Sequence, residues 1–256
     1  MRFHVLTLFP EAFGLSSQFS IVARAAQREQ IAIEVTDIRD YTHDAHGTAD
    51  DYQFGGGHGM VMKPAPVFEA AEAALSGYTA GERASLPVIL LTPQGELLTQ
   101  RLVEEFSAAP AIALICGHYA GVDERIAEGL ATRQVSVGDY VITGGELPAM
   151  IIIDAVTRLL PGVVGSPESV AGDSITTGIL QHPLYTRPAE YRGMATPDVL
   201  LSGHHAEIQR WRRRKSLERT LARRPDLLAA APLTNEDSQY LRTLGYGGPC
   251  HGPSEG

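Results

Sequence analysis

Short β-rich runs at residues 3–9, 31–38, 88–91 and 111–116 alternate with stretches of helical spacing at 11–28, 66–76 and 97–106. Apolar strands that alternate with helices predict a parallel sheet covered on both faces, and so an α/β fold. Ligands of such sheets bind beyond the carboxyl ends of the strands. Two loops fall there directly after apolar strands, TPQG at 92–95 and GHYAG at 117–121. A third stretch, VSVGDYVITGGELP at 135–148, carries Gly138, Gly144 and Gly145 and runs straight into the apolar segment 149–160. Those glycines permit positive φ or a close backbone approach, and a helix start follows at 146–148. The stretch reads either as a small-molecule cradle or as a glycine turn before a buried helix.

The segment 149–160 is apolar nearly all round, which predicts burial on most faces, yet it carries Asp154 and Arg158 one turn apart. Buried charge is costly unless paired. Either the two form an i, i+4 ion pair, or Arg158 turns its guanidinium into a site beside the glycine loop. Residues 40–62 form a long polar segment with His43, Asp44, His46, Asp50 and Asp51 ahead of Gly55, Gly56, Gly57 and Gly59. A loop of that length inside a compact domain is usually functional. The His43/His46 spacing has no third nitrogen or sulfur ligand nearby, so no metal site is assigned. The glycine cluster lacks the Lys-Ser/Thr ending of a phosphate loop, which argues against nucleoside triphosphate hydrolysis.

Charge is distributed unevenly. Residues 210–224 hold 8 of the 21 Lys and Arg against the single acid Glu218, a local balance of +7 that leaves −16 for the rest. A localised anionic partner fits this pattern, as does a solvated helix face. Ser202 is a plausible cap for this basic helix, Pro225 ends it near Arg223, and Trp211, Leu217 and Leu221 would anchor its inner side while the arginines face out. Residues 161–178, rich in Gly, Ser and Thr, read as a flexible linker holding Asp173, and the tail after Gly245 as disordered. Only two cysteines occur, Cys116 in an apolar run and Cys250. No disulfide framework follows, and a reducing cytoplasm fits. The amino-terminal run breaks at Pro10 and turns acidic at Glu11, and no apolar run reaches the length of a membrane span, so the protein is read as soluble and cytoplasmic.

The ordered blocks GGGHGMVMKP, LLTPQG, LICGHYAGVDERI, VSVGDYVITGGELP, DAVTRLLPGVVG, LYTRP and LLSGHHAEIQRWR resemble the bacterial tRNA (guanine-N1-)-methyltransferase family, the TrmD type of the SPOUT superfamily. The resemblance runs from about residue 3 to residue 228. It implies an α/β fold with a trefoil-knotted methyltransferase domain at 1–165, a flexible linker at 166–185, a small helical tRNA-binding domain at 186–245 and a disordered tail at 246–256. A trefoil would be an exception to the rule that chains do not thread. It also implies a homodimer with each site shared between subunits, and magnesium dependence with no assigned site.

S-adenosylmethionine would contact Leu91, Thr92, Pro93, Gly117, Tyr119, Val137, Gly138, Asp139, Tyr140, Val141, Ile142, Gly144, Gly145 and Pro148, largely through backbone groups. The substrate would be a tRNA guanine next to the anticodon. Guanine N1 carries a proton, so methylation needs a base and stabilisation of charge developing on the neighbouring oxygen. Asp173 matches the family's catalytic aspartate and Arg158 its catalytic arginine. Base recognition would draw on His46, Asp50, Gly55, Gly56, Gly57 and Gly59. The RNA backbone would meet Arg210, Trp211, Arg212, Arg213, Arg214 and Lys215. The chain departs from the family pattern at Ala120 (usually Glu), Gly47 (usually basic), Gln181 (usually acidic) and Leu184 (often His), which bears on fine contacts. A nicotinamide-dependent oxidoreductase is disfavoured because LFPEAF follows the first strand where a G-x-G-x-x-G turn is needed. A nonenzymatic tRNA-binding protein would keep the basic stretch without requiring Asp173 or the cradle.

Overall fold

The computed structural model describes residues 1–16, 20–165 and 172–248. The chain divides into two units, Met1–Gly165 and Ser166–Gly256. Residues 17–19 of the expected first helix, 166–171 of the expected linker, and the tail from 249 with Cys250 lie outside the described residues.

The first unit runs β1 (Arg2–Thr7), α1 (Ala12–Ser16), α2 (Ser20–Gln27), β2 (Ala32–Asp37), β3 (Asp50–Tyr52), β4 (Met60–Met62), α3 (Pro64–Ala74), α4 (Ala80–Ser85), β5 (Val88–Leu97), α5 (Gln100–Ser107), β6 (Ala111–Cys116), α6 (Glu124–Gly129), β7 (Arg133–Ser136) and α7 (Glu146–Thr157). Five strands form one parallel sheet in the order β2-β1-β6-β5-β7. The strands lack polar alternation because successive residues serve two cores. Phe3, Val5, Ile89, Leu91, Ile112 and Leu114 pack with Phe13, Val22, Phe106, Ile152 and Val156. Leu6, Val88, Leu90, Ala113 and Ile115 pack on the other face with Val67, Ala70 and Ile126.

Several local features differ from the sequence expectations. Leu97 ends β5, and α5 starts only after Thr99, whose hydroxyl caps Leu102 N at 3.3 Å. Strand β7 pairs with both ends of β5, the register jumping from Leu91 to Glu96 opposite Val135, so the TPQG loop bulges out of a strand. The hairpin β3/β4 and helices α4 and α6 carry no strong periodicity; α4 is set by a capping box between Thr79 and Glu82. Helix α7 corrects the expectation of burial on most faces. Its inner side is buried, but Leu147 (61%) and Ile151 (44%) are exposed along with Asp154, while Arg158 is half-buried at the C-cap. Period 3.6 leaves one stripe of the helix pointing away from the sheet, and its apolar character therefore does not come from this unit's core.

The second unit contains the hairpin β8 (Glu190–Tyr191) and β9 (Met194–Ala195), then α8 (Asp198–Leu201), α9 (His205–Arg223), α10 (Pro225–Leu228) and α11 (Asn235–Thr243). Ile179, Leu217, Leu228, Leu233 and Leu241 form its core. Ser202 does not cap α9: its hydroxyl donates to Val199 O at 2.9 Å and closes α8, and His204 stands at the N-cap without a side-chain bond to the helix backbone. Helix α9 ends at Arg223 before Pro225. Asp237, 4% exposed, receives two hydrogen bonds from Arg213 (3.1 and 2.8 Å) and completes a capping box with Thr234.

The part of the expected flexible linker that is described, from Gly172 on, is held by specific contacts. Ile179 is buried, Leu180 N donates to Thr220 Oγ1 (2.9 Å), and Gln181 N donates to Ser174 Oγ (2.9 Å). One apolar anchor outweighs the Gly/Ser/Thr composition of the stretch.

Candidate active site

The carboxyl ends of β5, β6 and β7 meet at unusually close backbone approaches. A Cβ on Gly145 would lie 2.6 Å from Cys116 Cα and 2.9 Å from Gly117 N, and one on Gly117 would lie 3.2 Å from Leu91 O. A Cβ on Gly95 would collide with the Gln134–Val135 peptide. Gly145 N donates to Gly117 O at 2.8 Å, fastening the start of α7 to the end of β6. Only glycine allows such contacts.

A cleft opens beside this junction. Of the expected cofactor contacts, Thr92, Pro93, Gly117, Tyr119, Val137, Gly138, Tyr140, Val141, Ile142, Gly144 and Pro148 line it. Leu91 and Gly145 are instead buried behind the junction, and Asp139 points outward, exposed. Gly138 has φ 157°, a value open to glycine, and a Cβ there would strike the Tyr140 ring. Ser136 Oγ donates to Gly138 O at 3.0 Å and shapes the turn. Tyr119 adopts φ 61°, a left-handed conformation uncommon outside glycine.

His118 and Ala120 also line the cleft. The ring of His118 packs between Phe9 (4.8 Å) and Tyr119 (5.0 Å), and its buried Nδ1 has no hydrogen-bond partner among the described residues. His118 lies in the loop 117–119 from which cofactor contacts were expected, but its side chain was given no role by the sequence. Glu146, in the first turn of α7, accepts from Thr7 Oγ1 at 2.7 Å. Cys116 lies below, its thiol pushed well up by burial and then by the Glu146 carboxylate.

The hairpin β3/β4 is joined to the cleft wall by its backbone: Ala120 N donates to Met60 O, Met62 N to Gly121 O and Asp123 N to Met62 O, each at 3.0 Å. Gly55, Gly56, Gly57 and Gly59 connect its strands, all with positive φ, and a Cβ on Gly59 would lie 3.0 Å from that of Ala120. The polar segment before it is organised by Asp44, which accepts from His46 N (2.9 Å) and from Thr48 Oγ1 (2.9 Å); the Thr48 hydroxyl leads the contacts that hold its carboxyl below the usual range. His46 is exposed and Asp50 half-buried in β3, and neither lines the cleft. His43 bonds Glu69 at 2.9 Å, so the HxxH pair is divided between different contacts. Among the described residues no group of three or more His, Cys, Asp or Glu gathers as a metal site.

Arg158 ends α7 in the first unit, and Asp173 is half-buried on a turn of the second, where Ile175 has φ 75° and Gly178 N donates to Ile175 O (2.8 Å). Of the basic residues on α9, Arg213 is taken up by Asp237, Lys215 by Glu218 (2.6 Å), and Arg214 lies over the Tyr240 ring. Arg210 is exposed, and Trp211 packs beside His182 and Tyr185. The arginines thus do not all face out, because Arg213 and Arg214 also bind the unit together. No described helix is long and apolar enough to cross a membrane.

Residues 1–230 match the family described as tRNA (Guanine-1)-methyltransferase TrmD. A protein of Moorella thermoacetica named tRNA (guanine-N(1)-)-methyltransferase is 52% identical over 244 residues, covering 95% of this chain and 96% of that protein. Proteins of the same name from Bacillus velezensis (50% over 241 residues; 94% and 98% covered) and Listeria innocua (47% over 242; 94% and 98%) are similar. With glycine-built junction, cleft and full-length relatives in agreement, the chain belongs to the tRNA (guanine-1)-methyltransferase TrmD family.

Proposed function

We propose that this chain methylates N1 of the guanine immediately 3′ of the anticodon in tRNA, with S-adenosylmethionine as methyl donor. The observation that carries this reading is the cleft at the ends of β5, β6 and β7 in a chain that matches the family over residues 1–230. The cleft suits the donor: the buried Nδ1 of His118 is an unused polar atom on its wall, and glycine at 144 is what lets that ring nitrogen sit there, since a Cβ would lie 2.6 Å from it. Thr92, Pro93, Gly117, Tyr119, 137–142, Gly144 and Pro148 would hold the donor. When bound, S-adenosylmethionine supplies an electrophilic sulfonium methyl.

The protein's own part is proton removal, charge stabilisation and positioning. Asp173 accepts the N1 proton of guanine, which frees the lone pair that attacks. Arg158 donates hydrogen bonds to the base oxygen as negative charge builds there. Holding nitrogen and methyl in line converts the encounter into an effectively unimolecular step. Asp173 and Arg158 belong to different units, and in a homodimer the site would be completed across subunits. The exposed Leu147 and Ile151 on α7 support such a dimer, since an apolar stripe on an otherwise buried helix calls for a cover. The close approach of the start of α7 to the end of β6 at Gly145 supports a trefoil threading of this region. The hairpin glycines, with His46 and Asp50, would meet the target base, and the basic residues of α9 the RNA backbone. Magnesium dependence and a cytoplasmic setting accompany the reading by family likeness.

Radiolabelled methyl transfer to tRNA transcripts with and without a guanine beside the anticodon tests it. Transfer is expected only to the first, and Asp173→Ala should abolish it while leaving donor affinity nearly intact. A fully active Asp173→Ala variant would remove the assigned base.

A further inference from the structure

The second unit holds a cavity of about 410 Å³ with His182, Leu184, Tyr185 and Arg187 on one side and Ile208 and Arg212 of α9 on the other. That size is in the range of small-molecule sites. Its character is mixed. Leu184 and Ile208 make it apolar, Tyr185 and His182 add ring faces, and the two arginines bring charge with no acidic residue among the described lining. Both rings lean on Trp211, at 6.4 Å for Tyr185 and 6.5 Å for His182.

Arg212 differs from its neighbours on α9. Arg213 is bound by Asp237, Arg219 donates to Gln181 O at 2.9 Å and Lys215 bonds Glu218. The Nε of Arg212 is shut off from solvent and has no hydrogen-bond partner among the described residues. With the Nε closed off, the terminal nitrogens of Arg212 are what the cavity presents, and a planar fork with no protein acceptor among the described residues suits a phosphate. A bare phosphate would leave the apolar and aromatic walls uncovered, whereas a base with its phosphate covers both.

We propose that this cavity takes one unstacked nucleotide of the bound tRNA, the base against Tyr185, Leu184 and Ile208 and the phosphate on Arg212 and Arg187. The inference rests on tRNA being the substrate, and it adds a base pocket to the backbone contacts given to α9. RNA is commonly bound through bases splayed out of the stack onto aromatic side chains. The positive balance of 210–224 in an otherwise acidic chain draws the strand to this surface.

Trp211 is the only tryptophan of the chain and packs against two rings that line the cavity, so its emission reports on them. The full-length protein is titrated with adenosine and uridine 5′-monophosphates, with adenosine, with inorganic phosphate, and with tRNA. The monophosphates and tRNA should shift the emission saturably, and inorganic phosphate should not reproduce the shift. Arg212→Gln should weaken monophosphate binding about tenfold or more, as loss of a charge-assisted contact does. Ala189→Phe, which fills the cavity and leaves the arginines in place, should remove the response with the far-UV circular dichroism unchanged. Both variants should raise KM for tRNA more than they lower kcat. Silent emission with the monophosphates, an equal response to phosphate alone, or wild-type tRNA affinity in Ala189→Phe would each overturn the proposal. The monophosphate titration decides it independently of methyl transfer: if transfer to guanine-bearing tRNA persists while the emission stays silent, the pocket fails and the catalytic reading stands.

Discussion

Replacing Gly145 with alanine separates steric from conformational demands on glycine. Its φ of −80° and ψ of −5° are ordinary right-handed values, so its own backbone accepts alanine without strain. The added methyl, however, would lie 2.6 Å from Cys116 Cα and 2.9 Å from Gly117 N, both backbone atoms that cannot swing aside. Carbon atoms rest about 3.5–4.0 Å apart, so the start of α7 must withdraw by roughly 1 Å. Withdrawal stretches the 2.8 Å hydrogen bond from Gly145 N to Gly117 O. Overpacking costs about 1–3 kcal/mol and the hydrogen bond about 0.5–1.5 kcal/mol, together roughly 2–4 kcal/mol. At about 2–4 °C per kcal/mol for a domain of this size, the melting temperature should fall by roughly 5–15 °C. Gly81→Ala is the control: it lies in α4 with nothing within 4 Å, and should raise stability by about 0.5–1 kcal/mol. Scanning calorimetry reads the first effect, and titration with S-adenosylmethionine reads the accompanying loss of donor affinity. A Gly145→Ala protein that melts with the wild type and binds the donor equally well would refute the steric reasoning.

Further predictions concern buried polar groups and the thiol. His4 is buried, and desolvation, aided by Arg2 and opposed by Glu34, lowers its pKa. The folded state therefore binds fewer protons than the unfolded one, and this contribution to stability is fully present above the ordinary histidine pKa and lost as pH falls through the folded value. Urea melts across mildly acidic to neutral pH should show that slope, and His4→Gln should flatten it. For Asp237, burial raises the carboxyl pKa, but bonds from Arg213 and Thr234 outweigh it and hold the value down. Asp237→Ala should destabilise the second unit by about 2–3 kcal/mol, less than a fully buried pair because Arg213 is partly exposed, as seen in its thermal transition. The buried Cys116 thiol should resist a disulfide reagent in a native Cys250→Ser protein and react only on unfolding; rapid native labelling would contradict its burial.

The parallel α/β layers were legible from the chain because strands covered on both faces need apolar residues at every position, as 111–116 shows. The glycine loops were legible for a related reason: only glycine tolerates the backbone contacts now seen at Gly145 and Gly95. Ordered motifs carried the family, since seven blocks in sequence are specific where any one is not. Tertiary structure decided the rest. Periodicity cannot say which apolar stripe of α7 meets the sheet and which stays exposed, because both are written in the same residues. Composition marks 161–178 as flexible, but burial of Ile179 ties its described end to α9, an effect of one long-range contact. Likewise, a run of arginines gives net charge alone. Whether each guanidinium binds Asp237, a carbonyl or an incoming phosphate depends on acceptors brought from distant parts of the chain, and only folding supplies them.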